Sequence, residues 1–384
     1  MTNGIQKGIV VGGGIGGLCT AIALRQIGVE TVVYEQTERL SQAGAGLTLW
    51  ANAIKGLRKL GIADAVIEAG AKIERGEIRT AGGRTLSRSQ PGELEGLFGE
   101  PTVAIHRADL HDILLSALAA NTLRLGAKCV RVEQEQEGVV VGLTGGRSER
   151  ADLVIGADGV HSMVRQQLFP DVRLRYSGYT AWRGVVATKD ESALGLTSES
   201  WGRGSRFGIM RINKARVYWF ATANAPAGRM QTAAERKSFL QERFVGWHHP
   251  VEHLIEATPA EEILHSDIHD LKPLKRWSEG RVVLLGDAAH PTTPNMGQGA
   301  CMAIESSLVL ARCLSRESNL ADALKCYEAE RMPRTRWITE QSWKIGRVGQ
   351  LENPLLRAAR DFLIRVTPAK LVRRTLEKAA GYEL

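Results

Sequence analysis

The sequence predicts an α/β chain: a domain built on a parallel sheet, interrupted by antiparallel strands, and closed by C-terminal helices. Three observations predict it. Residues 8–35 read as strand, glycine turn, helix and strand, a βαβ unit of about 30 residues. Two later strands of the short, buried type, Asp152 to Ile155 and Val282 to Leu285, each run into a glycine. Between them, from about 175 to 224, runs rich in Tyr, Trp and Val have the pattern of an antiparallel sheet with one apolar face.

The elements follow in order. Gly8 to Val11 is an apolar strand, Leu18 to Ile27 has helical spacing and no proline, and Val29 to Tyr34 is a β-branched strand ending at Glu35. Residues 76–90 form a hairpin turning at Gly82-Gly83. His106 to Ala120 is an amphipathic helix, and two strands flank a turn at Gly145-Gly146. Tyr176 to Val186, Arg206 to Ile212 and Arg216 to Ala223 are the antiparallel strands, followed by a helical segment from about Ala233 to Ala257. A long helix begins near Gly297. The parallel-sheet domain thus takes 1–75, 100–175 and 270–345, the antiparallel domain takes 76–99 and 176–269, and 346–384 is a helical segment.

Composition sets the bounds. The 384 residues suffice for a large core, and 43% hydrophobic with 24% charged residues is ordinary for a globular chain. The net charge of +8 is scattered, with no basic block and little aromatic interleaving, so nucleic acid is not an expected partner. Five cysteines without a Cys-x-x-Cys pair point to reduced thiols in the cytoplasm and to no metal site. The apolar stretch Ile9 to Val11 runs into a glycine turn and reads as a strand, not a leader, and no run approaches a membrane span.

Gly12-Gly13-Gly14-Ile15-Gly16-Gly17 satisfies the G-x-G-x-x-G pattern of a Rossmann-like turn. Gly12 permits the tight turn, Gly14 lets a pyrophosphate approach, and Gly17 lets helix and strand pack closely. The helix N-terminus offers N–H groups to phosphates. Glu35, with Gln36 beside it, ends the second strand where a carboxylate can accept from ribose hydroxyls. This turn alone does not separate one dinucleotide from another.

Two later segments do. Gly156-Ala157-Asp158-Gly159-Val160-His161-Ser162-Met163-Val164-Arg165 resembles the D-G-x-x-S-x-x-R segment of flavoprotein hydroxylases. Gly286-Asp287-Ala288-Ala289-His290-Pro291, followed by Pro294-Asn295-Met296-Gly297-Gln298-Gly299, resembles their G-D-A-A-H-x-x-x-P-x-x-G-Q-G segment. With the N-terminal turn, the three motifs stand in the family's order across nearly the whole chain. The chain therefore resembles the FAD-dependent, aromatic-hydroxylase-type flavoprotein monooxygenases. The resemblance implies a Rossmann-like FAD-binding domain interleaved with an antiparallel substrate domain. It implies FAD contacts at Gly12, Gly14, Ile15, Gly16, Gly17, Glu35, Gln36, Thr48, Arg107, Val130, Asp158, Asp287, Gly297, Gln298, Gly299 and Ala300. After the helix glutamate Glu305 the family usually has Asp, where this chain has Ser306.

The resemblance also implies the chemistry. NADPH or NADH delivers a hydride, O2 adds to the reduced flavin, and the C4a-hydroperoxide transfers one oxygen atom to an aromatic or other unsaturated hydrophobic substrate. Pro294 would wall the reaction site. Trp182, Arg206, Tyr218 and Trp219 on the antiparallel sheet are the candidate substrate residues, with Asn295, and Arg206, Tyr218 and Pro294 the candidate catalytic ones. Arg206 and Tyr218 match two substrate contacts of flavin urate hydroxylases, whose Asn and Asp counterparts appear as Ala181 and Asn295. A neutral Asn cannot serve as the same base, which argues against urate. Salicylate, hydroxynicotinate and zeaxanthin-epoxidase-like enzymes fit equally, and the segment from Gln341 to Leu355 looks most like the epoxidase-like branch.

An oxidase or reductase without oxygen transfer stays open at this point. Its disulfide-reductase form needs a cysteine pair that residues 41–46, Ser-Gln-Ala-Gly-Ala-Gly, do not supply. Residues 355–384 carry seven Lys/Arg and three Asp/Glu, with apolar residues near helical spacing. They read as a helix docked on the FAD domain, or as a lid in peripheral contact with a membrane. A monomer or homodimer is expected.

Overall fold

The computed structural model describes residues 4–40, 45–188 and 194–384, so residues 41–44 of the 41–46 segment lie outside the described residues. A six-stranded sheet has the order Ser278–Glu279, Val282–Leu284, Leu153–Gly156, Lys7–Val11, Glu30–Tyr34, Leu123–Arg124. All its pairings are parallel except that of the first two strands. Its central strands are apolar because both faces are covered: Ile9, Val10, Val33, Val154 and Val283 are fully buried.

The helix Ile15–Gln26 follows the first strand and buries Leu18, Cys19, Ile22 and Leu24. It packs against the helix Gly299–Arg316, and a Cβ on Gly16 would lie only 3.2 Å from that of Ala303. That second helix packs in turn on Ala51–Lys59 and on the 30-residue helix Leu320–Gly349.

The second layer is a seven-stranded sheet in the order Leu264–Asp270, Arg175–Ala187, Arg216–Asn224, Ser205–Arg211, Leu196–Trp201, Arg75–Thr80, Thr85–Ser89. The predicted hairpin at 76–90 is its edge pair. Helices Ala233–Arg243 and Val251–Ala257 cover one face, burying Trp182, Phe207, Trp219 and Phe244. The other face turns toward the Gly46–Leu49 and Val103–His106 strands, with Met210 and Tyr218 clustered beside Ala104.

Several boundaries differ from expectation. The helical segment expected over 233–257 is two helices, parted by a turn in which Gly246 takes a left-handed φ of +73° and with Pro250 at the start of the second. The long helix starts at Gly299 and not at Gly297, whose φ of +61° is left-handed. The helix from Arg107 stops at Ser116, short of Ala120. The tail forms two helices, Pro354–Val366 and Ala369–Ala380. Among the described residues, no helix is long and apolar enough to cross a membrane.

Candidate active site

The glycine turn is built by close approach. Gly12 takes φ +108°, and a Cβ there would lie 2.4 Å from the Ala157 carbonyl oxygen. A Cβ on Gly17 would lie 2.0 Å from the Gly12 carbonyl oxygen. Gly14 differs: a Cβ would meet nothing within 4 Å, so this side of the turn is open. The helix Ile15–Gln26 starts there with no side-chain cap and no acidic residue in its first turn, leaving N–H groups and a positive end for an anion. The Glu35 carboxylate accepts from the amides of Gly13 at 2.8 Å and Thr37 at 2.9 Å, which pins it at the turn's edge, with exposed Gln36 next to it. His111 Nε2 lies 2.7 Å from the Gly13 carbonyl oxygen. Nothing in the sequence marked this histidine.

The second motif is a clasp. Asp158 accepts from Ser162 Oγ at 2.5 Å and from the Val164 amide at 3.0 Å, and Ser162 Oγ caps the helix Met163–Leu168 by accepting from the Arg165 amide. Buried Arg165 donates to the carbonyl oxygens of Val160 at 2.5 Å and Ala288 at 3.0 Å. The D-G-x-x-S-x-x-R segment therefore holds the turn that carries Asp287. Val130 is half-exposed on the neighbouring strand Cys129–Glu135.

Asp287 follows the strand Val282–Leu284, in the short turn Gly286–Ala288, and is exposed between buried Gly286 and Ala288. Surrounding protein pushes its carboxyl up, and the charges of Arg107 and Arg165 pull it back. Arg107 is exposed at the start of its helix. His290, by contrast, is buried, and burial with the charge of Arg331 pushes its imidazole down to about 3. It is neutral at working pH and unsuited to collect a proton from substrate.

At the third motif, Gly297 lies close to Thr48 and Trp50: a Cβ on it would be 3.8 Å from the Thr48 Cβ and 3.3 Å from Trp50 Nε1. Trp50 Nε1 and Gln298 Nε2 are buried N–H donors with no partner among the described residues. Asn52, not marked in the sequence, bridges Gln298 Oε1 at 3.0 Å and Glu305 Oε1 at 2.5 Å. Two unpartnered donors beside a glycine turn, with Ala300 half-buried in the next helix, suit a ring that carries carbonyl oxygens and ring nitrogens. Together with the open face at Gly14 and the exposed Asp287, these residues fit FAD. Bound there, FAD supplies the redox and oxygen chemistry, and the protein supplies position and dryness.

The sheet separates the expected substrate residues. Tyr218 is buried on the face turned toward the Gly46–Leu49 strand, its ring against the backbone of Gly46, beside Met210, whose sulfur accepts from Thr48 Oγ1 at 3.5 Å. Arg206 is on the same side but already engaged. It donates to Glu199 at 3.0 Å, Asn295 Oδ1 at 2.7 Å and Gln350 Oε1 at 3.1 Å. Asn295 also donates to Thr293 Oγ1 and the Ser342 carbonyl, and Tyr179 Oη lies within hydrogen-bond distance of its amide. Arg206 and Asn295 thus pin the sheet to the Pro294–Met296 turn and the helix Leu320–Gly349, while Pro294 itself is exposed. Trp182 and Trp219 point to the opposite face. Trp182 stacks on His265 and lies against Phe239, while Trp219 stacks on Phe207 and donates to Thr258 Oγ1 at 2.9 Å. The structure does not bring these two indoles to Tyr218 and Pro294.

Comparison with known proteins agrees with this geometry. The family described as FAD binding domain matches residues 6–342. An aurachin C monooxygenase/isomerase of Stigmatella aurantiaca is 44% identical over 358 residues, 93% of each chain. A 2-heptyl-3-hydroxy-4(1H)-quinolone synthase of Pseudomonas aeruginosa is 33% identical over 370 residues, 94% of each. The crystal structure of Klebsiella pneumoniae HpxO complexed with FAD and uric acid superposes with a TM-score of 0.91 at 31% identity, over 98% of this chain and 97% of that one. The chain belongs to the FAD binding domain family and is an FAD-dependent monooxygenase of the aromatic-hydroxylase type.

Proposed function

We propose that the chain uses NAD(P)H and O2 to insert one oxygen atom into a planar aromatic or heteroaromatic ring that is neutral where it meets the sheet. The observation that carries this is Arg206. Its charge is matched by Glu199, and its other donors are taken by Asn295 and Gln350, so it has little left for a substrate anion. Beside it lie the buried apolar cluster of Tyr218 and Met210 and the exposed Pro294, surfaces suited to a flat ring. The quinolone in one relative's name is consistent with such a ring. The test compares neutral 4(1H)-quinolones with anionic benzoates, following NAD(P)H and O2 consumption and mass gain of one oxygen. Coupled oxygenation of the quinolones supports the reading. Preferred turnover of the benzoates, or peroxide alone from every aromatic tried, would count against it.

We infer a second contact at the tail. Leu355, Leu356, Phe362, Leu363, Val366 and Leu371 are each more than half exposed, on helices that also carry Arg357, Arg365, Lys370, Arg373 and Arg374. Apolar side chains flanked by cations suit an anionic lipid surface. Vesicles of phosphatidylcholine and phosphatidylserine should co-sediment the protein, and substituting Leu355 and Phe362 by Ser should release it; equal sedimentation of both forms removes the idea. The protein is read as working on the cytoplasmic side, where its five free thiols would stay reduced.

A further inference from the structure

We propose that the substrate is amphiphilic: an aromatic head on the Tyr218 face and an aliphatic tail laid in a groove under the last helix. The proposal rests on the aromatic head of the preceding section and adds the tail.

A groove of about 490 Å³ runs between the seven-stranded sheet and the helix Ala369–Ala380. Its apolar wall is Ile78, Phe220, Ile345, Leu371, Val372 and Leu376. The floor follows one lateral row of the sheet. Ile78 is paired with Glu199, Glu199 with Gly208, and Gly208 with Phe220. Three strand spacings make this row about 14 Å long. That length holds an extended chain of about ten carbons at ordinary C–C bond lengths.

Gly208 makes the floor possible. A Cβ there would lie 2.0 Å from Phe220 Cε1, so only glycine lets the Phe220 ring lie across its strand. The Phe220 ring is 6.3 Å, centroid to centroid, from that of Tyr218. The groove therefore abuts the Tyr218 ring through Phe220. The two carboxylates bordering it are both paired, Glu199 with Arg206 and Glu77 with Arg79 and Arg88. The groove thus offers desolvation and dispersion contact to a hydrocarbon and no free charge to an anion. Leu371, which lines the groove, is itself exposed, like the apolar residues of the preceding tail helix.

The test titrates the FAD-loaded enzyme with 2-alkyl-4(1H)-quinolones from methyl to nonyl, reading binding from the perturbed flavin spectrum. A half-open groove buries each methylene about half as well as a core does, so each should tighten binding about twofold, making heptyl about 60-fold tighter than methyl. Thr375→Trp fills the groove from its exposed rim and Ile78→Trp from its floor; each should cut that ratio below about fivefold. Thr375 is an exposed helix residue, so at least one variant tests the groove in a folded protein. An affinity independent of tail length, no binding by any member, or a ratio unchanged in both variants overturns the proposal. Tail-dependent binding without oxygenation of any member keeps the groove and removes the proposed reaction. Oxygenation with KM flat across the series does the reverse.

Discussion

His290 stays neutral in the fold because burial, with the charge of Arg331 added, holds its imidazole at about 3 against an ordinary value of 6.5. Below about pH 6.5 the unfolded chain takes up a proton that the folded chain refuses. Stability is therefore full above that pH and falls by about 1.4 kcal/mol per unit down to about pH 3. His290→Asn should remove this slope from urea unfolding measured across the same range; an unchanged slope would mean other groups carry it. Arg206 makes a second prediction. Arg206→Met leaves a partly buried Glu199 unpaired and frees Asn295, at a cost of about 2–3 kcal/mol in unfolding free energy. A substrate-binding arginine would raise KM and leave unfolding unchanged. Asp287→Ala should weaken FAD retention about tenfold, the worth of a hydrogen bond to a charged group. Reconstitution of the apoprotein, followed by flavin fluorescence, measures it.

Between elements, the decisive contact is an ion cluster where the helices Gly299–Arg316 and Leu320–Gly349 pack. Glu305 is fully buried and pairs with Arg331 at 2.5 Å and Arg334 at 3.2 Å. Ser306 stands where the resemblance expects a second carboxylate. Its hydroxyl accepts from Arg331 Nε at 3.1 Å and lies 3.2 Å from His290 Nε2. Burial alone would raise the Glu305 carboxyl, but the two arginines and Asn52 outweigh it and hold it below the usual range. A depressed carboxyl contributes stability that is present above its ordinary value near 4.5 and lost as pH falls through its lower folded value. Glu305→Gln leaves two arginines facing each other and should cost about 3–5 kcal/mol near neutral pH. The gap from the natural protein should narrow in acid, and thermal unfolding at both pH values checks this. The cluster was half legible. Glu305 could be found from its motif, but its two partners lie 26 and 29 residues further on and have no local pattern.

Across the whole molecule, the tail returns to the FAD side of the chain. The Tyr382 ring sits over Arg331 at 4.6 Å and Arg334 at 5.4 Å, its hydroxyl donates to Glu330 at 2.5 Å, and Arg334 donates to the Ala379 carbonyl at 2.6 Å. Tyr382→Ala should lower unfolding free energy by about 2 kcal/mol through the lost cation–π contact and hydrogen bond. A change under about 0.5 kcal/mol in chemical unfolding would show that the tail is only laid on the surface. Helical spacing in 355–384 indicated helices, but not that Leu384 would pack near Gly56 while Leu355 and Phe362 remain exposed.

The sequence by itself determined the βαβ unit, the three cofactor motifs and the antiparallel insert. Each rests on short-range physics: a left-handed or crowded backbone that admits only glycine at Gly12 and Gly17, a serine cap at Ser162, and the two-residue period of a strand. Only the tertiary structure decided what the insert's side chains do. A period of two says that Trp182 and Tyr179 face opposite ways, not which face a helical layer will cover, and Trp182 and Trp219 went to the covered one. Likewise Arg206 and Asn295 have substrate-binding chemistry as residue types. Gln350, Tyr179 and Ser342 arrive from other strands and helices to occupy them, and that depends on packing between elements distant in the chain.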